Sequence, residues 1–360
     1  MYKNTKNKAI WHKLLHLSKE FYSLKPWEKF RPNDIFGIQD PKSNQFYYCV
    51  IESTENNTHN LIAYKGIKGL IPHLDAINGS IFDHIFQYEQ NFLLVNFVKK
   101  KHLFEEDLYL LKNSPEDYPR NFLKPTFRDY SSGLLPSFIS EQQAETLCHI
   151  LKQTISIVKA FVLDSKMLVD NEKQYLFYTH IPIKDETGRV TSWEARFVDP
   201  MEVEEAVSDG KTIKMVSDLV LAPLKGLTRT EDKLFFDTIW LPRPIKEGTD
   251  DRAYFPRQMI WNNLKDGNMY IHPEDNGIIK HSFDFNQDFE AYFINKIQSI
   301  GFLPSSVHVC SDEHYELLHP YFKPLGIEVE VEESLIELSG IMYNMFLDLF
   351  EKSNYYEEDN

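Results

Sequence analysis

The sequence predicts an α+β / α/β protein, and three features lead to that fold class. In the first half, an amphipathic helix precedes short apolar runs that end in turns, which predicts an N-terminal α+β domain with an antiparallel meander. The middle holds strand-like runs between prolines and acidic residues, so it is predicted to be strand-rich. Residues 285–360 follow the order helix, strand, helix, strand, helix with tight links, which predicts a small layered C-terminal α/β unit.

The first helix is predicted over residues 8–24. Apolar side chains recur there at helical spacing, and lysines take the other face. The apolar positions are Ile10, Trp11, Leu14, Leu17, Phe21 and Leu24. Pro26 ends the helix, because the residue before a proline avoids the helical conformation.

Three short strands follow and form the predicted meander. The strands are predicted over residues 35–38, 46–51 and 60–64. Asp40-Pro41 begins the turn between the first two, since aspartate before proline is common in turns. A helix over 69–87, a strand over 91–98 and a helix over 103–111 come next.

A long helix is predicted after an irregular stretch at residues 115–136, which is rich in proline, glycine and aromatic residues. Ser140 is its N-cap, and Gln143 three residues later completes a capping box. Apolar positions at helical spacing carry the helix toward residue 164.

The remaining chain adds strands and then the C-terminal unit. Strands are predicted over 175–183, 193–198, 235–241, 257–261 and 278–283. Later helices are predicted over 289–300, 313–322 and 335–350, and later strands over 306–310 and 327–331. We expect these last two strands to be parallel and joined by a right-handed crossover.

The chain length and a polar stretch at residues 165–173 suggest the domain boundaries. We expect an N-terminal domain over residues 1–165, a strand-rich middle region over 166–284 and a C-terminal unit over 285–360. The middle and C-terminal parts are expected to form one domain.

The chain is acidic, with a net charge of -15, and its charge is unevenly distributed. Residues 1–31 carry eight Lys/Arg against two Asp/Glu, whereas residues 284–360 carry three against sixteen. These ends are interpreted either as solvated faces or as regions that attract each other within or between chains. The overall acidity argues against a nucleic-acid partner. The basic first helix nevertheless leaves nucleic-acid binding as a third alternative for the function.

Cysteine spacing and hydropathy predict a cytoplasmic protein. Cys49, Cys148 and Cys310 are widely separated, so neither a disulfide framework nor a zinc knuckle is expected. No apolar run reaches the ~18 residues that a membrane span needs. The basic N-terminus lacks the apolar core of a secretory signal. We therefore expect no membrane contact.

Several residue blocks resemble a known family. They are Trp11, Phe21, Pro26-Trp27, Asp34-Ile35-Phe36-Gly37-Ile38-Gln39-Asp40-Pro41, Tyr48-Cys49-Val50, Tyr64-x-Gly66 and Phe127-Arg128-Asp129-Tyr130 with Gly133 and Pro136. The C-terminal blocks are Gly301-x-Leu303-Pro304, Val307-x-Val309 and Leu325-Gly326-Ile327. The chain resembles a mainly Gram-positive bacterial family that pairs two domains of unknown function. The resemblance implies an architecture and no reaction.

Asp34 and Asp40 flank the first strand as a candidate acid pair. Two carboxylates could bind a metal ion or act in acid–base chemistry. Asp40 before Pro41 is ordinary turn chemistry, and Asp34 is a residue at a strand entry, so the structural interpretation of both is favoured over the functional one.

Soft metal ligands concentrate near the C-terminus, where His308, Cys310, His314 and His319 lie within twelve residues. Zinc needs three or four such ligands at short distance. His314 and His319 are five residues apart on a predicted helix, so they do not share a face at the favourable spacing. A buried cysteine with histidines at element ends is the favoured interpretation, and no metal site is predicted.

Arginines recur near tryptophans in the middle region. The pairs are Trp193 with Arg196, Trp240 with Arg243, and Arg257 with Trp261. Such pairs could stack on bases or hold an anion. Core tryptophans covered by the aliphatic stems of arginines are the favoured interpretation.

The sequence favours a non-catalytic binding or adaptor protein with a protein partner. It contains no Gly-x-Ser-x-Gly, phosphate-loop, Gly-x-Gly-x-x-Gly or His-Glu-x-x-His motif, and no cofactor is predicted. The alternative is a metal-dependent hydrolase of phosphate esters with Asp34 and Asp40 as ligands. Neither the substrate nor the oligomeric state is predicted. The candidate binding residues are Trp27, Asp34, Gln39, Asp40, Arg128, Trp193 and Arg196.

Overall fold

The structure is a computed structural model that describes residues 7–54, 58–78, 88–119, 122–169, 175–203, 216–246, 248, 252–270, 278–279 and 285–355. It divides into two compact units. The first comprises Met1–Ser132 and Pro136–Gly210, and the second Gly133–Leu135 and Lys211–Asn360. The boundary predicted near residue 165 falls inside the first unit, and the one near residue 284 falls inside the second.

The described strands of the first unit form one sheet. They run over Phe36–Gln39 (β1), Phe46–Ser53 (β2), His59–Lys65 (β3), Phe92–Val98 (β4), Lys124–Tyr130 (β5), Ser137–Phe138 (β6), Phe177–Lys184 (β7) and Val190–Val198 (β8). Their order is β6-β5-β4-β3-β2-β1-β7-β8. Neighbours are antiparallel except for β1 and β7, which are parallel. The predicted meander of β1, β2 and β3 is confirmed.

Helices lie on both faces of this sheet. They run over Lys8–Leu24 (α1), Gly66–Asn78 (α2), Glu105–Lys112 (α3) and Glu141–Leu163 (α4). Apolar side chains of α1 and α4 share one core with side chains of β1 to β5, among them Phe36, Cys49 and Phe127. On the opposite face, α2 packs Ile67 and Leu70 against Tyr48, Tyr64 and other residues of β2 to β4. Residues 79–87 of the predicted 69–87 helix lie outside the described residues.

The ends of α1 and α4 follow from local sequence. Lys25 adopts a left-handed conformation with φ of 45° after α1, and Pro26 begins a short 3-10 turn. At the start of α4, the Gln143 amide donates to Ser140 Oγ at 3.2 Å, and Gln143 Oε1 accepts from the Ser140 amide at 2.8 Å. The predicted capping box is therefore confirmed.

The prediction that residues 115–136 are irregular is wrong, because this stretch contains β5. Pro125 weakened the strand signal, since proline cannot donate to a sheet ladder. The strand nevertheless pairs with β4 along its whole length, and β6 covers only Arg128 and Asp129 on its other side. Proline is tolerated here because this part of β5 borders the sheet edge.

Helix α4 is long and apolar enough to cross a membrane by length and composition. In the structure, 61% of its most apolar window is buried. Its buried side chains, including Leu147, Leu151 and Val158, belong to the core of the first unit. Their burial against the sheet accounts for the apolar composition of α4.

The second unit contains a smaller mixed sheet. Its strands run over Thr228–Arg229 (β9), Lys233–Trp240 (β10), Arg257–Asn263 (β11), Ile278–Ile279 (β12), Phe302–Leu303 (β13), Ser306–Val309 (β14) and Glu328–Val331 (β15). The main sheet has the order β12-β11-β10-β14-β15, while β13 pairs with β9. The strands β14 and β15 are parallel, as predicted, and β10 joins them in parallel.

The helices of the second unit run over Asp218–Leu221 (α5), Phe285–Ile300 (α6), Asp312–Phe322 (α7) and Ile336–Tyr355 (α8). Phe289 and Phe293 of α6 pack with Tyr321 and Phe322 of α7 in an aromatic core that includes Trp261. The segment Gly133–Leu135 belongs to this unit. It pairs with residues 253–255, and Gly133, with φ of 72°, lies where a Cβ atom would collide with the Trp240 ring.

Candidate functional site

Three rows of side chains cross the sheet of the first unit on the face opposite α1 and α4. The pairing register of β2 to β5 aligns them. One row is aromatic, with Tyr48, Tyr64, Phe92 and Tyr130; the next holds Val50, Ile62, Leu94 and Arg128; the third holds Glu52, Asn60, Asn96 and Thr126. Along each strand, the side chains on this face therefore change from aromatic to polar over a separation of four residues.

A groove of about 1060 Å³ lies over β4 and β5 on this face. Leu94, Asn96, Thr126 and Arg128 contribute to its lining from the strands. The segment after β4 supplies a further part of the lining, with Lys99, Lys101, His102, Leu103 and Phe104. We call this feature the basic groove.

The charge of the basic groove is opposite to that of the protein. Lys99, Lys101 and His102 are exposed, and no acidic residue lines the groove within the described part of the chain. The described residues also provide no ion pair for Lys99 or Lys101. A local positive field thus remains in a chain whose net charge is -15.

Arg128 is fixed by a bidentate ion pair with Asp107 of α3. Its Nη1 donates to Oδ1 at 2.8 Å, and its Nη2 donates to Oδ2 at 2.5 Å. The Asp107 side chain is only 1% exposed, so the pair is nearly desolvated. The guanidinium group also lies 5.1 Å from the Phe104 ring centroid. Arg128 therefore holds α3 on β5, and its charge is largely neutralised.

Two asparagines in the polar row have unmet hydrogen-bonding capacity. Asn60 and Asn96 face each other across β3 and β4. The Oδ1 atom of each is buried and has no hydrogen-bond donor among the described residues. Because buried polar atoms are nearly always hydrogen-bonded in folded proteins, these two acceptors are exceptions among the described residues.

Trp27, a candidate from the sequence, lies in a packed aromatic cluster on the other face. Its ring stacks on His59 with centroids 3.9 Å apart and an interplanar angle of 4°. The ring centroids of Tyr22 on α1 and Phe97 on β4 lie 5.1 and 6.3 Å from the ring centroid of Trp27. Burial lowers the pKa of His59, although the charge of Glu28 opposes part of that effect. Trp27 thus packs the end of α1 against the sheet.

Asp34 and Asp40 form separate turn contacts. Asp34 Oδ2 accepts from the Arg31 amide at 2.6 Å. Asp40 Oδ2 accepts from the amide and the hydroxyl of Ser43, and Asp40 Oδ1 lies 3.0 Å from Nδ1 of His149 on α4. Burial alone would raise the pKa of Asp40, but the hydrogen bonds from His149 and Ser43 outweigh it and hold the pKa below its usual value.

Gln39 is also part of this turn, since its Nε2 donates to the Asn44 carbonyl at 3.2 Å. Within the described residues, no group of three or more His, Cys, Asp or Glu side chains could hold a metal ion. The hydrogen-bond partners of Asp34 and Asp40 give both carboxylates structural contacts within their turns.

Trp193 and Arg196 occupy opposite faces of β8, because side chains alternate along a strand. Trp193 packs against the core beneath α1 and α4, whereas Arg196 is exposed. The pair cannot form a stacked site. In the second unit, the guanidinium of Arg257 lies 4.1 Å from the ring centroid of Trp240, its cross-strand neighbour, rather than beside Trp261 as the spacing suggested.

The histidines near the C-terminus have separate partners. His308 contacts Ser306 and, at 3.0 Å, Glu332. His314 Nε2 lies 3.1 Å from Thr238 Oγ1, and His319 stacks on Tyr315. Burial raises the pKa of Cys310 to about 12, so its thiol is protonated at neutral pH.

Arg128 is the one candidate binding residue from the sequence that lines the basic groove. The run Lys99-Lys100-Lys101-His102 was a usable signal, because such a cationic run is unusual in an acidic chain. Asn60 and Asn96 gave no signal, since each is an isolated polar residue in an apolar strand. Only the pairing register brings them together.

Comparison with known protein families identifies two domains. Residues 11–179 match the model of a domain of unknown function, DUF7309, and residues 220–346 match the model of another, DUF6930. No curated protein and no solved structure showed significant similarity. The two matches agree with the architecture that the motifs around Pro26-Trp27 and Gly301 implied. The chain is therefore a two-domain protein that joins DUF7309 to DUF6930, two domains to which no function is assigned.

Proposed function

We propose that this protein is a non-catalytic binding or adaptor protein whose first unit captures an acidic segment of a partner protein in the basic groove. One observation carries the proposal. An open groove of about 1060 Å³ on a sheet face is bordered by Lys99, Lys101 and His102, with no acidic side chain among its described lining residues.

Charge complementarity supports an acidic partner. The net charge of -15 repels acidic molecules from the protein as a whole, so a local cationic site must supply the attraction. The exposed ammonium groups of Lys99 and Lys101 are suited to carboxylates, because a lysine acts as a compact point charge on a flexible stem. Nucleic acid is disfavoured by the same net charge.

The shape and the remaining lining support a peptide segment. Phe104 is 65% exposed beside the groove, and exposed aromatic side chains are common in protein interfaces. Asn96 and Thr126 of the polar row also line the groove. An acidic peptide thus offers carboxylates to the lysines and backbone polar groups to this polar part of the lining.

The chemistry of the lining supports binding over catalysis. Its described residues include no carboxylate, and they do not combine a thiol or serine nucleophile with an adjacent base. Burial raises the pKa of Tyr130, against a smaller opposing effect of Arg128, so its hydroxyl remains a hydrogen-bonding group at neutral pH. Nothing in the described geometry favours the hydrolase alternative.

The proposal includes a location in the bacterial cytoplasm. Cys49, Cys148 and Cys310 are all free thiols, and two of them are buried. A reducing compartment keeps thiols in that state.

A binding experiment with a defined probe tests the proposal. A fluorescently labelled peptide of alternating glutamate and serine is titrated with the full-length protein, and its anisotropy is measured at about 50 mM salt. The Lys99→Glu/Lys101→Glu variant should weaken binding about tenfold or more, because two attractive charges become repulsive. Raising the salt to about 300 mM should weaken wild-type binding as well.

The matched control is Lys152→Glu/Lys166→Glu, which makes the same charge change at exposed positions outside the groove. It should bind the peptide nearly as well as the wild type. Equal losses in the two variants would show a general charge effect and overturn the groove assignment. No binding of the acidic peptide by the wild type at low salt would overturn the proposal itself.

A further inference from the structure

The outer strand β8 ends the sheet of the first unit with an open edge. It spans nine residues, and no described strand pairs with its outer side. Its sequence, Val-Thr-Ser-Trp-Glu-Ala-Arg-Phe-Val, contains no proline or glycine. An edge strand presents a row of backbone N–H and C=O groups that can pair with another strand.

The opposite edge of the sheet is protected, which makes β8 the exception. There, β6 is only two residues long, and β5 carries Pro125. Short edge strands and edge prolines are common devices against unwanted strand pairing. The strand β8 has neither.

The side chains of β8 are complementary to a second, antiparallel copy of the same strand. With Ala195 on a two-fold axis, residue 194 of one copy lies opposite residue 196 of the other, and residue 193 lies opposite residue 197. Glu194 would then face Arg196 of the partner subunit, twice in the dimer. Cross-strand pairs of opposite charge stabilise a sheet, and like charges in the same positions destabilise it.

The aromatic side chains fit the same register. Trp193 would face Phe197 of the partner subunit, again twice. Both lie on the face beneath α1 and α4, where Phe197 already contacts Tyr178 at 5.8 Å. Aromatic cross-strand pairs add stability beyond that of the backbone hydrogen bonds. Charged and aromatic positions thus agree on one register, with the charges on the exposed face.

We propose that two copies of this chain associate through β8, pairing antiparallel about Ala195 to form a symmetric dimer with one continuous sheet. The interface is isologous, since the same strand contributes on both sides. Arg196 and Trp193 act here as interface residues on the two faces of one strand. The inference is independent of the ligand of the basic groove.

Charge reversal tests this register in the full-length protein. Sedimentation equilibrium over a range of protein concentrations gives the dimer dissociation constant. Glu194→Arg should raise it about tenfold, because the introduced guanidinium would face Arg196 of the partner subunit in both symmetric pairs. Arg196→Glu should have a similar effect, with two glutamates opposed.

Two combinations should restore association, and they exclude misfolding as the cause. The double variant Glu194→Arg/Arg196→Glu recovers complementarity with itself. A mixture of the Glu194→Arg and Arg196→Glu proteins should form heterodimers more strongly than either forms homodimers. A protein that stays monomeric at all concentrations would overturn the proposal, as would a dimer whose dissociation constant ignores these substitutions.

Discussion

At the scale of single residues, Gly37 determines how closely β1 and β7 can approach. It lies opposite Thr179 in the parallel pair, and Thr179 is fully buried. A Cβ atom at residue 37 would collide with the Thr179 side chain. The glycine in the Asp34–Pro41 block is therefore required by close strand packing and not by a turn.

Replacing Gly37 by alanine should lower the free energy of unfolding by about 1–3 kcal/mol, because the buried Thr179 has little room to move. Urea denaturation followed by circular dichroism measures the change. Thr179→Ala in the same chain should recover part of the loss, since it removes atoms that collide. Gly226→Ala, where nothing lies within 4 Å, is the control and should be nearly neutral. A Gly37→Ala variant as stable as wild type would contradict this account.

Asp40 connects the turn after β1 to α4 through His149. It is 1% exposed, and its hydrogen bonds with His149 and Ser43 favour the ionised form over the effect of burial. Because its pKa in the folded state lies below the ordinary 3.8, the ionised carboxylate stabilises the fold at neutral pH. That contribution is present above the unfolded-state pKa and is lost as the pH falls through the folded-state pKa.

Asp40→Asn should therefore lower stability by about 1–3 kcal/mol at pH 7, because a charged acceptor of three hydrogen bonds is replaced by a neutral one. The difference from wild type should shrink as the pH falls below 3.8 and through the lower folded-state pKa, where the wild-type carboxylate becomes protonated. Urea denaturation at a series of pH values measures this. Asp117→Asn, at an exposed position whose side chain makes no hydrogen bond with another described residue, should show no comparable effect. A difference that stays constant with pH would contradict the role of Asp40.

At the scale of elements, a bidentate ion pair joins α3 to the sheet, together with the packing of Leu110 against the core of the first unit. Arg128 on β5 and Asp107 on α3 are joined by two hydrogen bonds in a nearly buried site. Asp107 also accepts from the Phe104 amide at 3.1 Å, which caps the start of α3. The helix is short, so its position depends strongly on this contact.

Removing Arg128 alone should be costly. Arg128→Met leaves Asp107 as an unpaired buried charge, and we expect a loss of about 3–5 kcal/mol in the free energy of unfolding. The double variant Arg128→Met/Asp107→Leu should lose less than the sum of the two single variants, with a coupling energy of about 1–3 kcal/mol. Additive losses in this double-mutant cycle would show that the two residues do not act as a pair.

Element prediction succeeded where one local signal was decisive. The Ser140 and Gln143 capping box marked the start of α4, and Pro26 marked the end of α1. It failed at β5, where Pro125 and the surrounding prolines and aromatics resembled a loop. Pairing with β4 outweighs that local preference, because strand formation depends on the neighbouring strand more than on the strand itself.

At the scale of the whole molecule, the net charge of the protein and the local charge of the proposed binding site have opposite signs. The net charge of -15 repels other acidic molecules. The basic groove reverses that charge locally, so we expect it to select its ligand by local contacts and to be sensitive to salt. Local charge also matters at β8, where two opposite charges at neighbouring exposed positions make the strand complementary to a second copy of itself.

The sequence by itself determined the element order of both ends, the capping and termination of the main helices, and the membership of two domains without assigned function. These depend on periodicity and on residues close together in the chain, which a sequence displays directly. Tertiary contacts alone place β7 and β8 in the first sheet, give Trp27 a packing role and Asp40 a hydrogen-bonding role, and bring Lys99, Asn96 and Arg128 into one groove. Those relationships depend on strand order and register, which place residues far apart in the chain on one face and which no local pattern encodes.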